Sequence, residues 1–443
     1  MPRKKKETVK PVTYEKFTVK NSNFSERLCE LINKYFEWVE MEETRKNRRY
    51  FHAIPQVVKY PTAKYYVTVG ARSTGKTFEP VAFGILSYLA GDGVFAYVRR
   101  YDRTITEKNM TALVGGMGKM LEYVTDGEYN KVGWWRGQWW LERWERDEES
   151  GALTRAYRNP IPCGGAWSMN TWENDKGPDF GADKGGFSCI LIDEFLSKGA
   201  NYITDEWGVV ENVISSLIRD NVQKGTKVFM LANPVSKWKN PYFKAMGIKT
   251  DIYTQPGVHE IKFPLAEGQK KPMTVIFTYI CAVLDRDGET ATDVDPTMTD
   301  LYNEYFAFPN SKGKSMSITH GIWEMEDAAT LPDKYLNDSI TVKTVYIKSS
   351  EDEFFACDIS KFMGTGQYYL YFYDSELMEI PDKHFYFTLL PEMEKYAIIC
   401  GQKGNKVWDR FLEVYKTNRL YYESLDIADA WHGWVKEMKK YIP

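Results

Sequence analysis

The sequence predicts an α/β protein with a central, mostly parallel sheet, followed by a smaller α+β domain led by strands. Three observations predict it. The run Tyr65-Tyr66-Val67-Thr68-Val69 leads into Gly70-Ala71-Arg72-Ser73-Thr74-Gly75-Lys76-Thr77, a strand entering a glycine-bounded loop, and a helical pattern follows. The near-continuous apolar run Phe187-Ser188-Cys189-Ile190-Leu191-Ile192 closes on Asp193 and Glu194. Such a run suits a strand covered on both faces, as in a parallel sheet. Beyond residue 340, five short β-rich runs precede two helical ones.

Taken in order, the first ten residues carry Arg3, Lys4, Lys5, Lys6 and Lys10, a basic arm open to two readings, solvated tail or phosphate contact. Residues 24–49 read as a helix with Leu28, Leu31, Ile32, Tyr35, Phe36 and Val39 on one face. That face calls for a docking surface on the next domain or on a neighbouring subunit. Arg45, Lys46, Arg48 and Arg49 close it with a second basic group.

The loop at 70–77 has the spacing that cradles phosphate. Gly70 and Gly75 let the backbone turn so that the amides of Arg72, Ser73, Thr74 and their neighbours converge on an anion. Lys76 reaches the β- and γ-phosphates and the Thr77 hydroxyl reaches Mg²⁺. Residues 78–89 form the helix whose N-terminus faces the anion, and Pro80 is tolerable there only because it lies in the first turn. Gly93 to Tyr101 reads as the next strand and ends on Arg99 and Arg100. Strand, helix and strand in this order imply a right-handed crossover.

Trp134, Trp135, Trp139, Trp140 and Trp144 crowd a segment expected to pair as strands, either as core or as a base-stacking platform. Asp193, at the end of the apolar run, is the expected partner of Thr77 on Mg²⁺, and Glu194 the group that polarises water. Residues 209–217 read as helix, with Arg219 in the polar loop beyond. Residues 227–232 form another buried strand, ending on Asn233, a candidate γ-phosphate sensor. Together these features predict a P-loop ATPase of the additional-strand (ASCE) type, using ATP and Mg²⁺.

Residues 285–332 shift to Asp, Thr, Gly and Pro and read as a linker. The expected division is 1–55 for arm and docking helix, 56–284 for the ATPase domain, 285–335 for the linker and 336–443 for the C-terminal domain. In the last of these, the runs 341–347, 354–359, 368–373, 384–389 and 397–400 read as strands, and 407–416 and 427–441 as helices. The net charge of −3 does not by itself announce nucleic acid. Six scattered cysteines without a C-x-x-C pair point to a reducing compartment and away from structural zinc. No run is long enough to span a bilayer, so a soluble intracellular protein is expected.

Four motifs occur in order: Gly70 to Thr77, Tyr97-Val98-Arg99-Arg100-Tyr101, Ile192-Asp193-Glu194-Phe195 and Asn240-Pro241-Tyr242-Phe243. With these the chain resembles the DNA-packaging ATPases of small tailed phages of the phi-29-like kind, relatives of terminase large subunits. The resemblance implies a homo-oligomeric ring, a pentamer by family likeness. That ring would sit at the portal of an empty procapsid in the host cytoplasm and pump double-stranded DNA inward. A packaging RNA tethers the ring in the phi-29-like branch. It also implies an RNase H-like C-terminal domain that has lost cutting activity.

By position, Arg219 matches the arginine offered in trans to a neighbour's γ-phosphate, and Lys176 a basic residue near the subunit boundary. Arg72, and Arg99 or Arg100, are further candidates for phosphate contact or for linking nucleotide state to subunit motion. Asp358, expected on a first strand, and Asp426 and Asp429, expected before the last helix, are what an active nuclease would use. The alternatives are a terminase large subunit with a live metal-dependent nuclease, a P-loop assembly switch with little hydrolysis, and a small-molecule kinase.

Overall fold

A computed structural model describes, in the first half of the chain, residues 16–46, 50–71, 74–172, 186–197, 202–218, 225–235, 240–248, 252, 256–263 and 273–280. Further on it describes 331, 335, 337–348, 354–375, 377, 379–389, 395–400, 404–417, 419–423 and 425–438. The basic arm, Arg48, Arg49, Arg72, Ser73, Lys176, Arg219 and nearly all of the expected linker lie outside these residues. The chain divides into two compact units, the first holding every element through residue 280 and the second every element from residue 339.

The first unit is built on a ten-stranded sheet. Its strands are β1 (Tyr65–Gly70), β2 (Val94–Arg99), β3 (Lys131–Trp135), β4 (Gln138–Arg146), β5 (Leu153–Arg158), β6 (Gly164–Ser168), β7 (Phe187–Asp193), β8 (Lys227–Ala232), β9 (Gly257–Lys262) and β10 (Thr274–Ile280). Their order is β3-β4-β6-β2-β7-β8-β1-β10-β9, with β5 paired outside the path to β4. The six strands from β6 to β10 are parallel, and antiparallel strands flank them at both ends. β8 therefore lies between β1 and β7, so an extra strand separates the loop strand from the acidic strand. This is the additional-strand order that the sequence predicts. β1, β7 and β8 are almost wholly buried, which is why they read as apolar runs rather than alternating ones.

Helices cover both faces. On one lie α1 (Glu26–Lys46), α2 (Ile54–Lys59), α3 (Phe78–Ala90), α4 (Glu107–Val114) and α5 (Gly118–Val124), packed into a core with Phe95, Tyr97, Trp139 and Phe229. On the other lie α6 (Glu206–Ile218) and α7 (Pro241–Ala245), with Val67, Val69, Ile190, Ile192 and Phe277. The docking face of α1 is thus satisfied within the first unit, where Leu28, Leu31, Ile32, Tyr35, Phe36 and Val39 are buried against α3 and α5. At Gly84 an added Cβ would lie 2.6 Å from Phe95 Cβ and 3.1 Å from Cys189 Sγ, so α3 approaches the sheet more closely than alanine permits.

The second unit holds β11 (Ser339–Lys348), β12 (Phe354–Phe362), β13 (Tyr368–Tyr373), β14 (Tyr386–Thr388), β15 (Ala397–Ile399) and β16 (Leu420–Tyr422), with α8 (Lys406–Tyr415) and α9 (Leu425–Met438). The order is β15-β14-β11-β12-β13-β16. β11 to β13 form an antiparallel meander, β14 lies parallel beside β11 and β15 parallel beside β14. Trp408, Phe411, Trp431 and Trp434 from the helices fill the core against Phe372 and Phe387. Tyr335, expected at the end of the linker, packs its ring edge-on against Tyr369 and tilted against Phe362 and Tyr421 of this unit.

Two expectations here need correction. Asp358 is not on the first strand; it lies within β12, the second, opposite Thr344 of β11. Asp426 and Asp429 do not precede the last helix but fall inside α9, which begins at Leu425. The first is a matter of counting, since the strand read at 341–347 precedes the one that holds Asp358. The second is one of boundary, since α9 starts two residues before Ile427, where its apolar pattern begins. The cysteines Cys29, Cys163, Cys189, Cys357 and Cys400 are all free and buried. Among the described residues, no helix is long and apolar enough to cross a membrane.

Candidate functional site

Parallel strands gather their C-terminal ends at one edge of the sheet, where open α/β sheets bind ligands. In the register, Thr68 of β1 faces Leu231 of β8, and Leu231 faces Asp193 of β7. The loop that leaves β1, the acids that end β7 and the asparagine that follows β8 are therefore neighbours because of strand order alone.

Lys76 is buried, and its Nζ donates to the Ala71 carbonyl at 2.9 Å and to Asn233 Oδ1 at 2.8 Å. A buried ammonium at the mouth of such a loop is a preformed position for an anion. Gly75 has φ +90°, and an added Cβ there would sit 3.1 Å from Tyr50 Cβ, so the residue meets both a torsional and a steric demand. Thr74 closes the loop by donating its hydroxyl to the Ala71 carbonyl, and Thr77 is the N-cap residue of α3 with its hydroxyl not used as a cap. Gly70 ends β1 opposite Ile280.

The acids are held by β2. Asp193 Oδ2 accepts from the Tyr97 hydroxyl at 2.6 Å and from Arg99 Nη1 at 3.0 Å. Arg99 Nη2 reaches Glu194 Oε2 at 2.6 Å. Tyr97 and Arg99 share a face because they lie two apart on a strand. Burial, and then the Asp193 carboxylate, push the Tyr97 phenol well above its ordinary value, so it acts as a neutral donor. Glu194 itself is in the left-handed region at φ +56°, with its N–H on Asp193 Oδ1. Its side chain is the exposed member of the pair, open to solvent where Asp193 is enclosed.

Arg100 is a correction as far as phosphate contact goes. Its guanidinium is spent on Glu206 of α6 and on the carbonyls of Glu194 and Phe195. Glu206 is fully buried and also accepts from the Tyr242 hydroxyl. This is a fold-holding ion pair that ties β2 to α6 and α7. The acceptor could not be named from sequence, since 106 residues separate the partners.

A second group of residues escaped the sequence reading altogether. The loop's backbone is braced from upstream, where Phe51 N–H donates to the Thr74 carbonyl at 2.8 Å. Beside it, His52 stands between Glu43 of α1, at 3.2 Å, and Glu79 of α3, at 2.9 Å. Glu79 also accepts from Ile54 N–H. Burial pushes the imidazole down, but the two carboxylates outweigh it and hold His52 up at about 9. A cavity of about 400 Å³ opens here, lined by Trp38, Tyr50, Phe51, Gly75 and Phe78 among others.

In the tryptophan segment the core expectation holds for Trp139. β3 and β4 form a hairpin in which Trp134 faces Trp139. Trp139 is fully buried in the core, whereas Trp135 is 44% exposed.

No protein-family model and no curated protein matches the chain. Among solved structures, the chain is similar to the phi-28 gp11 DNA packaging motor, with TM-score 0.47 and 13% identity, covering 88% of this chain and 98% of that one. It is similar to the bacteriophage phi-29 genome packaging motor assembly, with TM-score 0.48, 15% identity and coverage of 88% and 99%. The ATPase domain of the Thermus phage P74-26 large terminase also matches, with TM-score 0.31, 15% identity and coverage of 60% and 90%.

Proposed function

We propose that this chain is an ATP-driven motor that packages double-stranded viral DNA, working as a homo-oligomeric ring on the portal of a procapsid. One observation carries the ATPase part. A strand inserted between the loop strand and the acidic strand delivers Asn233 onto Lys76 and sets Asp193 and Glu194 at the same sheet edge. A nucleotide store needs the loop alone. A water-directed carboxylate beside a metal-directed one, with a polar residue already touching the loop lysine, is the equipment of hydrolysis.

The residues present fit ATP and Mg²⁺. Lys76 and the loop amides would hold the phosphates, Thr77 and Asp193 would hold Mg²⁺, and the apolar cavity beside Gly75 suits the base. Bound Mg²⁺ would neutralise charge across the phosphates. Glu194 orients the attacking water once Arg99 lets go of it. Asn233, bonded to Lys76, senses whether the γ-phosphate is there. In this reading Arg219 and Lys176 act across the subunit boundary, where Arg219 from the next subunit completes the charge stabilisation, and Arg72 and Ser73 belong to the phosphate loop. The DNA-packaging part rests on the motif resemblance, from the loop through Tyr97-Val98-Arg99-Arg100-Tyr101 to Phe243.

The strand order of the second unit supports an RNase H-like fold: an antiparallel meander of three, then a fourth and a fifth strand stacked outward from the first. Asp358 accepts from the hydroxyls of Thr341, Thr344 and Tyr373, which supports a structural role for it rather than a cutting one. Packaging would then be done without cleavage, with a packaging RNA and the portal as partners.

The test is steady-state ATP hydrolysis with and without long double-stranded DNA at two salt concentrations, beside Glu194→Gln. Stimulation that fades with salt and is lost in the variant is expected. Turnover that ignores DNA, or that survives the variant, would sink the motor.

A further inference from the structure

The outer face of the β3–β4–β5 ribbon has chemistry that the motor reading does not use. Its inner face, with Val132, Trp134, Trp139 and Leu141, already belongs to the core. Lys131 pairs with Glu142, Gly133 with Trp140 and Trp135 with Gln138, and Glu142 in turn pairs with Arg158. These residues therefore share the other face, which bears the three indoles Trp135, Trp140 and Trp144.

Cations lie against those indoles. The Arg136 guanidinium stands 4.4 Å from the Trp135 ring centre, Arg158 lies 5.2 Å from it, and Lys131 Nζ is 3.7 Å from the Trp144 ring. Glu142, the one carboxylate among them, is buried and already accepts from Trp144, Arg155 and Arg158. Burial pushes its carboxyl up, but these donors hold it below the ordinary range, so it stays ionised and spent. The turn has φ +48° at Arg136 and +79° at Gly137, a two-residue turn of the kind that favours asparagine and glycine. Arginine holds the unfavourable position instead, and the turn sets its guanidinium over the exposed indole.

We propose that this face binds an unpaired stretch of nucleic acid, with a base stacked on Trp135 and a backbone phosphate on Arg136. Every base has a π-face, so an exposed indole flanked by guanidinium groups takes any unpaired sequence. Bases inside a duplex are already stacked and cannot reach it. A protein partner is less suited, because the face is cationic with its one carboxylate neutralised. Asp147, Glu148 and Glu149 at the far tip of the ribbon repel phosphate and confine the contact to the Trp135 end. The inference rests on the motor reading only in taking nucleic acid as the partner; it does not require turnover.

The experiment uses the full chain, the parent beside Trp135→Ala and beside Arg136→Gly. Trp135 and Arg136 are exposed, and glycine keeps the positive φ, so the variants should fold. Fluorescence anisotropy is read with labelled oligothymidylate, oligouridylate and a blunt duplex, and ATP turnover is measured in each protein. The expected result is about tenfold or greater loss of affinity for the unpaired probes in W135A. R136G should lose affinity too, with a shallower dependence on salt, while turnover and duplex binding hold. The two unpaired probes separate DNA from RNA as the source. Unchanged binding of both by W135A overturns the proposal, as does a parent that binds neither. Absent turnover with Trp135-dependent binding intact would remove the ATPase reading and leave this one standing.

Discussion

Arg99 and Arg100 leave the end of β2 on opposite sides and meet different carboxylates. Arg100→Ala would strand the fully buried Glu206 without its cation, a change of about 3–5 kcal/mol. Urea unfolding should show that loss as a lower midpoint. Arg99→Ala should cost less, about 1–3 kcal/mol, since Asp193 keeps the Tyr97 hydroxyl and the Glu194 N–H as donors and Glu194 is open to solvent. Its effect belongs to the metal: with the guanidinium no longer competing for Asp193, the Mg²⁺ concentration that half-saturates turnover should fall severalfold. An unchanged requirement would mean the two cations do not share that carboxylate. His52 gives a pH prediction. Its value is raised from 6.5 to about 9 in the folded chain, so the stability it supplies is complete below about pH 6.5 and lost as pH rises through about 9. At most it is worth about 3 kcal/mol. Lys227 runs the other way: burial, and then Lys64, lower it to about 8, so its penalty fades between pH 8 and the ordinary lysine value. The clean readout is therefore the difference in melting temperature between the parent and His52→Gln. That difference should shrink steadily from pH 6.5 to 9; if it stays constant, His52 is not charged.

At the scale of elements, what the sequence disclosed depended on whether an element's signal was its own. β1, β7 and β8 announced themselves because both faces are covered, and with them came Lys76, Thr77, Asp193 and Asn233, each at a strand's end. β6, Gly164-Gly165-Ala166-Trp167-Ser168, has no strand propensity to read. It pairs because its glycines leave room for the Phe95 ring, which a Cβ at Gly164 would meet at 2.5 Å. β9 alternates exposed and half-buried residues at a sheet edge, too weakly to be seen. His52 with Glu43 and Glu79 was invisible for a different reason: the three come from a helix, a connector and another helix, and only the fold brings them together. Close packing also yields a prediction for α3. Gly84→Ala gains helix propensity of about 1 kcal/mol but forces a methyl into Phe95, so a net loss of about 1–2 kcal/mol is expected. Chemical denaturation should show the loss, and a gain would mean that the helix can lift from the sheet.

At the scale of the whole molecule, each unit has a core of its own, and the residues proposed to hold nucleotide all lie in the first. Calorimetry should therefore resolve two transitions. Saturating ATP with Mg²⁺, at about a hundred times its dissociation constant, should stabilise only the first, by about 2.7 kcal/mol. A single transition that moves as one would instead mean that the units unfold as a block. The buried cysteines bear on this directly. Burial drives the Cys189 thiol up to about 12 and those of Cys163, Cys357 and Cys400 upward too, so these four offer alkylating reagents almost no thiolate while the fold is intact. Two of these sulfurs belong to each unit. The chain thus carries its own pair of unfolding clocks: the order in which iodoacetamide marks the two pairs, read by mass spectrometry, reports which unit opens first, with no label added.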